Sequence, residues 1–276
     1  MNNKKLAIIA GKGDLVQNLI YKSQKIDFDL TVISIDNPEL KCDNNYKLYK
    51  LNNIDINYIF RILKREKITQ ICMAGYVKRP SRLLDFLNPF SIMLLLKFRN
   101  ILNRGDAALF KILNTFIEKK GFKIIGASEI NPKLTLSEGV YSRRNIPKYE
   151  IENIELAKEK MRIFRHHDIG QAAVVSKGRF IAVEAAEGTD AMLSRVVELN
   201  CNKKKINGIF IKTSQMEQDL RTDMPTIGKK TIDLVIKSKL SGLVITAGDV
   251  IVLDYETVIK MVDENDLFFA VIKNIQ

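Results

Sequence analysis

The sequence predicts an α/β fold in two parts: a Rossmann-like parallel-sheet domain at the amino terminus and a distinct mixed α/β (α+β) domain at the carboxy terminus. Three observations carry this. Short apolar, β-branched runs alternate with helix-periodic segments through the first half, as strands of a parallel sheet covered on both faces do. A pair of glycines, Gly11 and Gly13, stands where the first such run gives way to the first helix pattern. In the second half, turn-linked pairs of strand-like runs appear among the helices, which is the signature of a mixed sheet.

Residues 6–10 are a continuous apolar run closed by Gly11, the look of a buried parallel strand entering a tight turn. A helix is expected over 14–25. Residues 30–35, rich in β-branched side chains, read as the second strand, 46–51 as a weaker one, 57–66 as a helix and 70–74 as a strand. From 81 to 120 the pattern is helical, broken at Pro89 and at Arg104-Gly105-Asp106, before a strand at 122–125. Residues 127–148 carry Pro132, Gly139 and Pro147 with little periodicity, which sets the boundary near residue 130 and the domains at 1–130 and 131–276. Beyond it come a helix at 151–164, then a hairpin of 172–176 and 179–184 across Lys177-Gly178. A helix from Asp190, a strand at 208–212 and a helix at 227–239 follow. A second hairpin, 243–246 with 250–253 across Ala247-Gly248-Asp249, precedes a helix at 255–264 and a strand at 267–272.

With 276 residues, 46% hydrophobic and 28% charged, the chain has the composition of a globular protein with a sizeable core. Its net charge of +12 draws polyanions, but the lysines are scattered and form no basic stripe, so nucleic acid is not an expected partner. Cys42, Cys72 and Cys201 lie far apart with no C-x-x-C pair, which argues against a zinc site or redox couple and for core thiols. His166 and His167 are the only histidines, so a multi-histidine two-metal phosphoesterase and a zinc protease are poorly supported, and the pair is expected to cap a helix end. The amino terminus lacks a signal-peptide pattern, and the longest apolar run, 90–96, falls far short of the ~20 residues of a spanning helix. A cytoplasmic location is expected.

Four constellations could carry chemistry. Gly11-Lys12-Gly13 lets backbone N–H groups approach a phosphate at a helix start, although it lacks the third glycine of the dinucleotide fingerprint and could be a tight turn only. Gly75, with Lys78 and Arg79 after the strand at 70–74, could face the same crevice or lie in a solvated loop. Glu184-Ala185-Ala186-Glu187-Gly188-Thr189-Asp190 sets three carboxylates beside a helix start. Thr189 as N-cap and Asp190 as first-turn charge would explain two of these residues, while a hard cation or hydroxyl-rich sugar would use the cluster. Arg221 and Asp223, two apart, point to one side of an extended segment and could address one phosphate or metal, yet Asp223 also reads as a cap for the helix after Pro225.

In this order, Ile9-Ala10-Gly11-Lys12-Gly13, Ala74-Gly75-Tyr76-Val77-Lys78-Arg79-Pro80, Gly105-Asp106, residues 168–175, residues 183–193 and Asp223-Met224-Pro225-Thr226-Ile227-Gly228 resemble the UDP-2,3-diacylglucosamine pyrophosphatase family of the LpxI type. The similarity runs nearly end to end, its most specific part in the last three segments. One departure is Lys12, since the family's first turn is richer in glycine. The resemblance implies a substrate held between two domains, Mg²⁺ as cofactor, and hydrolysis of UDP-2,3-diacylglucosamine to UMP and 2,3-diacylglucosamine 1-phosphate in lipid A biosynthesis. It also implies work at the inner face of the cytoplasmic membrane of a Gram-negative bacterium, and it matches Asp223 to the family's essential acidic residue.

On that footing Asp223, Arg221 and Asp190 are the expected catalytic residues, and Asp223 and Glu187 the expected metal ligands. Gly11, Lys12, Gly13, Gly75, Arg79, Asp106, Gln171, Gly188, Thr189 and Thr226 are expected to bind substrate. The expected partners are the lipid-linked UDP-sugar and the membrane surface; a homodimer is compatible with the sequence, which leaves the oligomeric state open. Two other functions fit parts of the chain. A nucleotide-sugar or dinucleotide-dependent oxidoreductase would use the first domain, with Asp36 closing its second strand, and a non-catalytic lipid-binding protein would use the charge and the 90–96 run. Residues 83–102 are more apolar than one buried helix face needs, so they read either as an acyl-chain or membrane contact or as a core helix.

Overall fold

The computed structural model describes residues 4–26, 28–37, 40, 45–77, 106–167, 169–201, 206–216 and 218–275. The segment 83–102, read as either a lipid contact or a core helix, and the residues Cys42, Arg79 and Asp168 lie outside them. The chain divides into two compact units, Met1–Pro132 with Asp219–Asp223, and Lys133–Gln218 with Met224–Gln276.

In the first unit the order is β1 (Lys5–Ala10), α1 (Asp14–Lys25), β2 (Asp29–Ile35), β3 (Lys47–Leu51), α2 (Ile56–Arg65), β4 (Gln70–Ala74), α3 (Asp106–Lys119), β5 (Lys123–Ile124) and the short α4 (Ala127–Ile130). The strands pair in the order β3-β2-β1-β4-β5, parallel throughout. Both faces of the sheet are covered, and Leu6, Ala7, Ile8 and Ala10 have no exposed surface at all. That is why β1 reads as a continuous apolar run and not as an alternation. Asp55 caps α2 by accepting the Tyr58 N–H (2.9 Å). The i, i+3, i+4 stripe Ile59, Ile62 and Leu63 then packs with Ile33, Ile35 and Ile71. Burial pushes the Cys72 thiol up to about 12, as befits an inert core thiol, whereas Cys201, expected in the core, is exposed.

The second unit contains β6 (Gly139–Val140), α5 (Ile151–His166), β7 (Ala172–Ser176), β8 (Arg179–Val183), α6 (Thr189–Asn200), β9 (Ile209–Lys212), β10 (Thr226–Ile227), α7 (Lys229–Lys237), β11 (Gly242–Thr246), β12 (Ile251–Val252), α8 (Tyr255–Glu264) and β13 (Phe268–Ile272). Its main sheet runs β6-β13-β11-β9-β7-β8, with β9, β11 and β13 parallel and the other pairs antiparallel. Side chains alternate between two cores. Phe210, Leu243, Ile245 and Phe269 join Met192, Val196, Val235 and Val258, while Ile209, Ile211, Val244 and Phe268 join Ile154, Ala157 and Met161 of α5. The hairpin of β7 and β8 turns at Lys177 and Gly178, both at positive φ (50° and 71°), as a two-residue hairpin of type I′ requires.

The second expected hairpin does not form. Both edges of β11 are taken by β9 and β13, so no ladder is left for the chain returning from Ala247-Gly248-Asp249. Instead β12 pairs in parallel with β10, Thr226 opposite Ile251 and Ile227 opposite Val252. Among the described residues no helix is long and apolar enough to cross a membrane.

The tight packing of the central strands can be tested at Gly242, where an added Cβ would sit 2.3 Å from the Phe268 carbonyl oxygen of the neighbouring strand. Gly242→Ala is expected to cost at least the ~1–3 kcal/mol typical of overpacking, since backbone cannot step aside. Urea denaturation midpoints of the two proteins measure it; an unchanged midpoint would contradict the close approach.

Candidate active site

The expected site residues fall into three groups. The first lies at the carboxyl ends of β1 and β4, where the strand order reverses and α/β sheets commonly bind ligands. There the glycine turn and the loop after β4 hold each other. The Gly11 N–H donates to the Ala74 carbonyl (2.9 Å), the Lys12 N–H to the Tyr76 carbonyl (2.8 Å), and the Tyr76 N–H to the Lys12 carbonyl (2.8 Å). A Cβ on Gly11 would meet the Tyr76 oxygen at 2.5 Å, and one on Gly75 the Lys12 oxygen at 2.7 Å. These two glycines are therefore required by the closeness of the two turns, and the Gly11 and Lys12 N–H groups are spent inside the protein. Lys12 also reaches Asp36 (2.9 Å), the carboxylate a dinucleotide enzyme would use on ribose, and the Asn37 side chain donates to the Gly11 carbonyl (2.6 Å). Gly13, at φ 115°, opens α1, whose first turn carries the negative Asp14. Asp106 stands at the start of α3.

The second group is the segment 219–223, which leaves the second half of the chain to join the first unit. The expected extended strand is instead a turn: the Thr222 and Asp223 N–H groups both donate to the Asp219 carbonyl (3.0 Å each). The Asp219 carboxylate receives Arg221 Nε (2.9 Å) and Nη2 (2.7 Å), and Asn114 Nδ2 (2.7 Å). Asn114 Nδ2 also reaches Thr222 Oγ1 (2.9 Å), while Arg221 Nη1 bonds Glu118 Oε1 (2.6 Å). The Arg221 guanidinium, with help from burial-resisting hydrogen bonds such as that of Asn114, holds the Asp219 carboxyl below its usual range. Arg221 is thus committed to two carboxylates.

Asp223 does not cap the helix that follows Pro225, contrary to the simplest reading of its sequence context. Residues Thr226–Ile227 are strand, and α7 starts only at Lys229 with Gly228 as its N-cap. Pro225 accordingly lies before a strand and not in a helical first turn.

The third group gathers in the second unit around the ends of β8 and β9. Thr189 Oγ1 donates to Glu184 Oε1 (3.1 Å), and Lys212 Nζ donates to Thr189 Oγ1 (2.8 Å) and to the Thr226 carbonyl (3.1 Å). Gln171 joins them: its carbonyl accepts the Thr213 N–H (2.9 Å). Thr189 is not the N-cap; Gly188 is, at φ 81°, and the threonine hydroxyl is turned to Glu184 instead. Burial pushes the Glu184 carboxyl up, against the opposing pull of Lys212 and Thr189, and its Oε2 is buried with no hydrogen-bond partner. By contrast Glu187 is paired with Arg195, and Asp190 with Lys230 (2.7 Å).

Beside this group Asp249, 1% exposed, accepts from Ser214 (2.6 Å), Thr246 and Asn274 (2.9 Å). Sequence reasoning missed Asn114, Glu118, Asp219, Lys212 and Asp249. Only Asn114 and Glu118 carried a signal, an i, i+4 pair of polar groups on one face of α3.

Among the described residues no three His, Cys, Asp or Glu side chains converge to cage a cation. Mg²⁺ needs no cage, since it binds through one or two carboxylates and substrate phosphates. Asp223 is a half-buried carboxylate of the kind such binding uses, and Glu187 would first have to exchange its arginine.

Two family models cover nearly the whole chain: the LpxI N-terminal domain matches residues 5–134 and the LpxI C-terminal domain residues 137–270. The UDP-2,3-diacylglucosamine pyrophosphatase LpxI of Caulobacter vibrioides is 32% identical over 272 residues, covering 96% of each chain.

The raised Glu184 carboxyl makes a prediction about pH. A carboxyl whose folded pKa lies above its unfolded value binds the proton better when folded, so its contribution is full below the unfolded pKa and is lost as pH rises through the folded one. Glu184→Gln removes that component. The stability difference between variant and wild type, from urea midpoints, is expected to move in the variant's favour as pH rises from about 4.5; a pH-independent difference would mean that Glu184 ionises normally.

Proposed function

The chain belongs to the LpxI family, and on that premise we propose that it hydrolyses the pyrophosphate of UDP-2,3-diacylglucosamine to UMP and 2,3-diacylglucosamine 1-phosphate, with Mg²⁺, in lipid A biosynthesis. The observation that supports this reading is the place of Asp223, the match to the family's essential acidic residue, at the end of a turn braced by Asp219, Asn114 and Arg221.

In the reaction, water oxygen bonds to one phosphorus, the bridging P–O bond breaks so that the bridging oxygen departs with the other phosphate, and the water proton passes to that phosphate or to solvent. The chain must orient the water, hold the leaving phosphate in line and offset the charge on two phosphoryl groups. Asp223 is assigned to orient the water or to hold the metal, and Glu187 and Asp190 are assigned as further carboxylates for the ion. Mg²⁺, when bound, supplies charge neutralisation and a more acidic water. Arg221 acts as a positioning residue, because its guanidinium is already fixed on Asp219 and Glu118. Gln171, Gly188, Thr189 and Thr226 are assigned to the substrate's polar groups. The first turn of α6 has no side-chain cap, and its Asp190 charge is offset by Lys230, so its N–H groups suit an anion. The net charge of +12 favours an anionic membrane surface, where a diacylated substrate resides.

The test is UMP release from UDP-2,3-diacylglucosamine with and without Mg²⁺, for wild type and Asp223→Asn. A transition-state group should lose a factor of about 10² or more in kcat on this substitution while the protein stays folded and still binds substrate. Retention of more than about a tenth of wild-type kcat at saturating Mg²⁺ would sink the assignment of Asp223.

A further inference from the structure

Lys212 is the last residue of β9, and it is 7% exposed. Lysine is almost never this buried unless its ammonium is paired or hydrogen-bonded. Here the ammonium spans two segments far apart in sequence: the Thr189 hydroxyl (2.8 Å) at the start of α6 and the Thr226 carbonyl (3.1 Å) at the start of β10. Both belong to segments assigned above to the substrate, and Thr226 follows Asp223 by three positions in the chain. On its other side the Thr189 hydroxyl donates to Glu184, so the lysine sets which way that hydroxyl points.

We propose that Lys212 is a positioning residue for a phosphoryl anion of the substrate, fixing Thr189 and Thr226 and placing a buried positive charge behind them. This deepens the reading of the preceding section and rests on it for the identity of the phosphate ester. Two features favour an anion over a neutral ligand. A cation in a poorly solvated position projects its field further than one in water. The one acidic residue in the first turn of α6, Asp190, is already paired with Lys230. Lys212 serves the ligand through Thr189 and Thr226, so its removal should weaken binding more than it slows the chemical step.

The experiment compares wild type, Lys212→Met and Lys212→Arg. It measures the Kd for inorganic pyrophosphate and for UMP by calorimetry, the KM and kcat for UDP-2,3-diacylglucosamine, and Tm. The expected result is a tenfold or larger rise in Kd and KM for Lys212→Met, a smaller change in kcat, and partial rescue by Lys212→Arg. A folded Lys212→Met protein that binds both probes within twofold of wild type would reduce the lysine to a structural pin and overturn the proposal. Should neither variant fold, pyrophosphate titration of the wild type, read by the amide resonances of Thr189 and Thr226, decides the matter: no shift at either overturns it. If pyrophosphate binding depends on Lys212 but UDP-2,3-diacylglucosamine is not hydrolysed, the functional reading fails and the anion site stands.

Discussion

The carboxylate of Asp219 is the interaction on which the neighbourhood of Asp223 depends. It accepts two guanidinium N–H groups and an amide from Asn114 while its own carbonyl closes the turn over Thr222 and Asp223. A bidentate guanidinium–carboxylate pair fixes angle as well as distance. Five residues of the second half are thereby made part of the first unit. Because Arg221 is also bound to Glu118, its two carboxylates and Asn114 tie the turn to α3 at several points, and a charge group held this way has little freedom to reorganise when a reaction proceeds.

At the carboxyl ends of β1 and β4 a different constraint operates, the absence of a Cβ. Gly11 and Gly75 let two turns approach until their backbone groups pair, and that pairing consumes N–H groups which a dinucleotide-binding loop would offer to a pyrophosphate. Lys12, the departure from a glycine-richer turn, closes the arrangement by reaching Asp36. The two features that favoured an oxidoreductase, the glycine turn and an acidic residue after the second strand, are thus accounted for by contacts within the protein.

In the second unit the ends of the parallel strands carry polar groups that the strands themselves cannot satisfy. Lys212, Thr213, Ser214, Thr246 and Asp249 are all buried there. Buried polar groups are stable only when hydrogen-bonded, and Asp249 meets that demand through Ser214, Thr246 and Asn274. Glu184 Oε2 does not.

Local features were legible in the chain. Residues 14–25 and 255–264 form the helices their periodicity announces, the run 6–10 is a strand buried on both faces, and Lys177-Gly178 turns its hairpin, because each depends on neighbours within a few positions. The motif segments around Gln171, Gly188, Thr189 and Thr226 were also visible, and folding brings them together. What the chain could not display were pairings made across long separations. The partner of β12 depends on which edges of β11 were already filled. Asp219 meets Asn114 from 105 positions away, and Lys212, by its neighbours the end of an apolar strand, places its ammonium on Thr189, 23 positions earlier. Whether Asp223 capped a helix was likewise undecidable locally, since Asp-Met-Pro suits either role; the ladder between β10 and β12 decides it, by holding Thr226–Ile227 as strand and starting the helix at Lys229.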